Sequence, residues 1–278
     1  METDEKLSSV AVVLGASTGV GAAIALRLAE NLYPVIGFHR GRHQAEALSQ
    51  AMLLKCRAKQ SQLIERDVGR NEIAVDVGVA DVAKFASKQS VRVLVHSLSG
   101  ASVNSVMKSV PYQVESTFNL LAHSFLWWVQ GLQQCDLLAP NAKIIALSNP
   151  LPDFYLRNSG VIGAAKAALE TYVKMLAVEL GPMGMRINAI RFSTVLTSAL
   201  RKVLSAEAVA ALEKVHQHIV PAGTMQDADS VAQFVVKLVN DNWINGAVID
   251  LTGGSTRTLL DYAFYNINQT ATLVNPGS

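Results

Sequence analysis

Apolar residues follow two alternating rhythms along this chain. Short runs at about residues 10–14, 34–38, 72–77, 91–96, 143–147, 186–190 and 247–251 are apolar at nearly every position and rich in Val and Ile. Longer stretches between them, at about 22–31, 43–70, 113–132, 161–180 and 227–240, space their apolar residues three and four apart. A strand buried on both faces reads as a continuous apolar run, whereas an amphipathic helix shows the 3.6-residue period. The alternation predicts βαβ units, hence an α/β fold with a doubly wound parallel sheet. No linker divides the pattern, so residues 1–278 are expected to form a single domain. The pattern loosens at 197–222, and from about residue 262 to 278 a tail or an oligomer contact is expected.

Half of the 278 residues are hydrophobic and 17% are charged, which is ample for a core and argues against disorder. The net charge of +2 carries no nucleic-acid signature. Cys56 and Cys135 form neither a disulfide framework nor a metal-ligand spacing. The polar start lacks the basic and apolar regions of a signal peptide, and no apolar run reaches the roughly 20 residues of a membrane span. A soluble, cytoplasmic protein with no nucleic-acid, membrane or metal partner is expected.

Chemistry first appears at Leu14-Gly15-Ala16-Ser17-Thr18-Gly19-Val20-Gly21, between the first strand and the first helix. Glycines spaced in this way permit a tight turn and close approach of main chain to a pyrophosphate. The following helix N-terminus offers N–H donors and a favourable dipole. Without a ligand the same loop would be a strand-to-helix corner. Its place after the first strand of a regular α/β pattern favours a dinucleotide and a Rossmann-type domain.

The motif resembles the short-chain dehydrogenase/reductase family, and the likeness runs from about Val10 to Gly254. Asp76-Val77 matches the acidic residue after the third strand, which the resemblance places on adenine. Ala165-Lys166-Ala167-Ala168-Leu169 is similar to the family's lysine-bearing helix. Arg186-Ile187-Asn188-Ala189-Ile190 resembles its sixth strand, and the segment from Gly246 to Gly254 its last strand and turn.

The second strand ends in Phe38-His39-Arg40-Gly41-Arg42-His43. An acid there would hold the ribose hydroxyls of NAD, whereas arginine pairs with a phosphate. His39, Arg40 and Arg42 therefore suit the 2′-phosphate of NADP(H). They could also be a solvated basic turn.

The resemblance implies a catalytic Asn, Ser, Tyr and Lys. Lys166 fits the lysine, which the resemblance also places on the nicotinamide ribose of the cofactor, and Ser148 the serine, while Asn119 resembles the helix asparagine. The usual tyrosine is lacking: four residues before Lys166 stands Ile162, and seven before it stands Ser159, so Ser159 and Tyr155 are the substitutes to test. Leu94-Val95-His96-Ser97-Leu98-Ser99-Gly100 resembles the corresponding segment of enoyl-acyl-carrier-protein reductases, which places Ser97, Leu98 and Ser99 beside the cofactor. Pro-Gly is absent after the sixth strand, where Val195 and Thr197 are expected to meet the carboxamide.

The apolar residues of 197–222 suit either a lid over a hydrophobic substrate or a helix packed on the core. Trp127-Trp128 suits the core or an interface, and the resemblance implies a homodimer or homotetramer. An NADPH-dependent reductase of an activated C=C or C=O bond is expected, with a substrate of the CoA- or carrier-protein-linked acyl-thioester kind. A nucleotide-binding pseudoenzyme and a non-redox enzyme on the same scaffold are the alternatives.

Overall fold

In a computed structural model of the chain, the described residues are 7–101, 103–154, 156–197, 201 and 204–257. They form a seven-stranded sheet ordered β3-β2-β1-β4-β5-β6-β7. The strands are β1 (Val10–Leu14), β2 (Val35–His39), β3 (Gln62–Glu65), β4 (Val91–His96), β5 (Leu138–Ser148), β6 (Arg186–Arg191) and β7 (Val248–Asp250), and all neighbours pair in parallel. The helices are α1 (Gly19–Asn31), α2 (Gln44–Arg57), α3 (Glu72–Phe85), α4 (Pro111–Phe118), α5 (Ser124–Gln134), α6 (Gly160–Leu180), α7 (Ala206–Ile219) and α8 (Ala228–Val239). No helix among the described residues is long and apolar enough to cross a membrane.

The central strands are apolar because both faces are covered. Val10, Val12 and Leu14 of β1 enter one buried layer with residues of α3, α5 and α6. Ala11 and Val13 enter the other, with residues of α1 and α8. Helix α8 buries Val231, Ala232, Val235, Leu238 and Val239, the spacing of a single helical face. Asp227 caps it by accepting the Ser230 N–H at 2.6 Å. Arg27 of α1 reaches it through two 2.7 Å bonds to Asp229.

The third strand lies earlier than the pattern of 72–77 predicts. It is the short, half-buried Gln62–Glu65, and Glu72–Phe85 is a helix. Asn71 caps that helix by accepting the Ala74 N–H at 2.9 Å. Ile73 and Val77, which mimic strand alternation with Val75, are exposed, whereas Val75, Val79 and Val82 lie on one buried helical face. The longer period decides the element. The acid that follows the third strand is therefore Asp67, ahead of Val68, and Asp76 and Val77 sit on an exposed face of α3.

The single helix expected at 113–132 is interrupted by a π-helical segment, Asn119–His123, between α4 and α5. Trp128 of α5 belongs to the core. It is fully buried, donates its indole N–H to Val68 O at 2.9 Å and lies 5.3 Å from the Phe38 ring. A Cβ at Gly78 would meet its ring at 2.7 Å, so this helical glycine is what lets α3 approach. Trp127 packs against the core edge.

Candidate functional site

A cavity of about 850 Å³ opens at the carboxyl ends of β1, β2, β4, β5 and β6, across the β1–β4 junction where the strand order changes direction. Ligands of doubly wound sheets bind at such a point. Gly15, Ser17, Thr18, Gly19, Val20, Gly21, His39, Arg40, Arg42, Ser97, Leu98, Ser99, Ser148, Lys166, Val195 and Thr197 all line it. Asp76 and Val77 do not, because α3 carries them away; Arg66 and Val68, flanking Asp67, line it instead. Asn119 and Ser159 also lie outside the lining. Asn119 belongs to the π-helical segment, and Ser159 is the buried residue preceding α6. Tyr155 lies outside the described residues, as do Leu200 and Val203 of the expected lid and the tail from 262 onward.

The first end of the cavity is made of main chain. Gly15 has φ +86, and a Cβ there would stand 2.5 Å from Ser97 O. A Cβ on Gly21 would stand 2.1 Å from Gly15 O. These contacts pull the turn tight against β4 and leave room for a ligand above it. Thr18 forms no side-chain cap to α1, and the first turn of α1 carries no acid. The helix N-terminus is thus suited to an anion. The residues present fit the phosphates of a dinucleotide.

The basic rim is less uniform than its composition suggests. Burial lowers the His39 pKa from its ordinary value, with Glu65 opposing. The His39 Nδ1 accepts the Gly41 N–H at 3.1 Å, which leaves its Nε2 as the donor of the neutral ring. Arg40 is half-engaged, donating to Ser99 O at 2.9 Å. Arg42 is exposed. Arg40 and Arg42 both line the cavity beside His39.

The far end is made of buried side chains. Ser148 closes β5 and Arg191 closes β6, directly paired in register. The Ser148 hydroxyl donates to Glu170 Oε1 at 2.7 Å. Arg191 donates from Nε to the same oxygen at 2.7 Å and from Nη2 to Oε2 at 2.6 Å. Its Nη1 pairs with Asp153. Glu170 raises the Arg191 pKa above its ordinary value, and Asp153 adds to this. Lys166 lies one turn before Glu170 on α6 and donates to Leu147 O at 2.7 Å. It is 6% exposed, and burial pulls its pKa down to about 8, with Glu170 opposing.

Ile162, in the position expected for tyrosine, also lines this end, as do Leu156 and Phe192. His96 is fully buried behind the site, with Nε2 2.8 Å from Ser124 Oγ, and burial holds its pKa at about 3. It is a neutral core residue.

Glu170, Asp153 and Arg191 carry the electrostatics of this end without having stood out in the sequence. The one local signal is Glu170 itself, a carboxylate among Ala165, Leu169 and Val173 on the buried side of α6.

Comparison with known proteins agrees with this fold. The family described as enoyl-(acyl carrier protein) reductase matches residues 15–256. The chain belongs to the short-chain dehydrogenase/reductase family. It is similar to the chloroplastic NADPH-dependent aldehyde reductase 2 of Arabidopsis thaliana, 29% identical over 88% of this chain and 93% of that protein. It is also similar to the 1-cyclohexenylcarbonyl-CoA reductase of Streptomyces collinus, 24% identical over 88% of this chain and 86% of that one. Among solved structures, an NADPH-bound short-chain oxidoreductase of Pseudomonas aeruginosa PAO1, described as containing an atypical catalytic center, shares the fold. Its TM-score is 0.78 at 21% identity, covering 91% of this chain and 98% of that one.

Proposed function

We propose that this protein is an NADP(H)-dependent oxidoreductase that reduces an activated C=C or C=O bond of a hydrophobic substrate. The observation that carries the reading is one cavity that joins a phosphate-ready helix start, the Arg40–Arg42 rim and the buried Lys166–Ser148 pair. The NADPH-dependent and CoA-thioester relatives support the cofactor and make acyl thioesters, on CoA or a carrier protein, the first substrates to test.

NADPH, when bound, supplies the hydride. The start of α1 would hold its phosphates, and Arg40 with Arg42 the 2′-phosphate. Val195 and Thr197 would meet its carboxamide. Val195 is anchored there by a parallel bridge to Gln226, and the Thr197 methyl would lie 3.0 Å from a Cβ on Gly19. Lys166 brings positive charge to the end of the cavity where an oxyanion would develop. Leu156, Ile162 and Phe192 exclude water around it. The site diverges from the family pattern in having Ile162 at the tyrosine position, so the proton must come from another donor, such as Tyr155, water or Lys166 itself. Residues 197–222, including α7 with half-buried Val209, Leu212 and Val215, would act as the substrate lid. Exposed Met175 and Val178 on α6 suit a contact in a homodimer or homotetramer.

The test is NADPH oxidation with enoyl-thioesters, ketoacyl-thioesters, pteridines and quinones, with Lys166→Ala and Tyr155→Phe alongside. Turnover lost in Lys166→Ala is the expected result. Tight NADPH binding with no turnover across the panel would instead support a pseudoenzyme, a reading favoured by the inward-turned Ser148 hydroxyl. Product formation with no net change in nicotinamide would point to non-redox chemistry.

A further inference from the structure

We propose that Glu170 is the positioning residue of this site, drawing the Ser148 hydroxyl proton inward and holding Lys166 as the ammonium that delivers the proton to the substrate oxygen. The inference rests on the reductase reading above and names the proton donor it leaves open.

Ser148 has a single proton and two acceptors, Asn149 O at 3.5 Å and the ionised Glu170 Oε1 at 2.7 Å, and the shorter, charge-assisted bond to Glu170 takes it. The hydroxyl therefore meets the cavity with its lone pairs, as an acceptor. It cannot at the same time donate to a developing oxyanion. Glu170 cannot take its place, because Oε1 already accepts from Ser148 and Arg191 and Oε2 accepts from Arg191. A bidentate guanidinium keeps such a carboxylate ionised. Lys166 spends one N–H on Leu147 O, and an ammonium has three. Its remaining donors belong to a side chain that lines the cavity. Among the described residues lining the β5–β6 end, it is the one acid or base.

The charges around Lys166 come from every side. Glu170 lies on its own helix, and Arg191 of β6 and Asp153 of the β5–α6 loop stand behind that carboxylate. From β4 comes His96, neutral by burial and bonded to Ser124 of α5. Glu170 stabilises the ammonium, and burial opposes it. The balance puts the group close to neutrality, where an acid can both give up and regain its proton. As the substrate carbon is reduced by a dihydronicotinamide, the electron pair of the reducing bond passes to the substrate. The Nζ–H bond then breaks and an O–H bond forms on the oxygen of the alkoxide or enolate. The pair of the broken bond stays on Nζ, and the amine recovers a proton from water.

The test is an NMR titration of Lys166 Nζ in full-length protein carrying [15N]lysine, assigned by its loss in Lys166→Arg. Glu170→Gln should lower the midpoint by about one pH unit, because the stabilising negative charge is gone. Arg191→Gln should raise it by a similar amount, about one unit, because Glu170 then faces Lys166 alone. Opposite signs exclude general damage to the fold. Arg191→Gln, with Lys166 as the remaining counter-ion, keeps the test open if Glu170→Gln does not fold. Unmoved midpoints, or movement in one direction for both, overturn the proposal.

With crotonyl-CoA and acetoacetyl-CoA as probes, the basic limb of kcat/KM should track each midpoint, and turnover should be lost in Lys166→Arg, whose guanidinium does not give up a proton. A limb that survives in Lys166→Arg and vanishes in Tyr155→Phe assigns the proton to the phenol and overturns the proposal. Absence of turnover with every substrate class defeats the reductase reading and the delivery role together. Turnover with an unmoved limb defeats only the present inference.

Discussion

At the β1–β2 end of the cavity the phosphate-facing turn is largely main chain, whereas the β5–β6 end presents Ser148 and Lys166 backed by a charge network drawn from several parts of the chain. The first end depends on what is missing: no Cβ on Gly15 or Gly21, no acid in the first turn of α1, no acid after β2. The second depends on what is present, in Ser148, Lys166, Glu170 and Arg191, with Asp153 as the outer partner. A surface of amides and glycines is already arranged for phosphate and changes little with pH. A buried charge network is sensitive to pH and to the loss of any one member. The difference suits phosphate binding at one end and the proposed proton movement at the other.

The contrast can be broken most severely in the charge network. Glu170→Leu leaves largely buried Arg191 with exposed Asp153 as its remaining counter-charge and should cost about 3–5 kcal/mol. The double variant Glu170→Leu/Arg191→Leu should regain most of that loss. Urea denaturation of both decides it, and equal losses would mean that the pair is not the unit.

Next comes the glycine end. Gly21→Ala puts a methyl 2.1 Å from the Gly15 carbonyl, a main-chain clash that no rotamer relieves. It should cost about 1–3 kcal/mol in a thermal melt and weaken NADPH binding as well. Unchanged stability would show that the loop tolerates slack.

His96, between the two ends, tests the pH contrast. Its folded pKa of about 3 lies below its ordinary 6.5, so the folded state favours the neutral ring. The stability it contributes is present above about 6.5. It is lost as pH falls toward about 3, at roughly 1.4 kcal/mol per pH unit. Urea midpoints of the wild type should fall more steeply with acid than those of His96→Gln, and parallel curves would refute this.

The smallest effect is expected at the rim. Arg42→Ala should weaken NADPH binding about tenfold, or roughly 1.4 kcal/mol, and leave NADH unchanged in fluorescence titrations. Equal weakening of both would place Arg42 on something other than the 2′-phosphate.

Much of the fold was legible because its signals are local. The order of strands and helices follows from two periods, the first cofactor loop from three glycines, and the positions of Ser148 and Lys166 from the end of one strand and the helix after it. The failure at 72–77 was also local. Ile73, Val75 and Val77 satisfy the period of a strand as well as part of a helical one, while the true β3, Gln62-Leu63-Ile64-Glu65, is short and half-buried. That ambiguity carried the acid expected after the third strand from Asp67 to Asp76. Asn119 and Ser159 satisfy a spacing, but spacing does not say which side of a helix or loop meets the cavity.

By itself the sequence determined the layered α/β architecture, the glycine turn with its unblocked helix start, and a basic rather than acidic rim. These depend on turn chemistry and on neighbours a few residues apart. Tertiary structure alone decided that Ser148 would turn its proton to Glu170 rather than to the cavity. Those residues are 22 apart, and Glu170 meets Arg191 across 21 residues and Arg191 meets Asp153 across 38. Their meeting requires β6 to lie beside β5 in the register that sets Arg191 opposite Ser148, with α6 packed over both. Desolvation then gives the contact its strength, and desolvation belongs to the assembled core rather than to any segment of it.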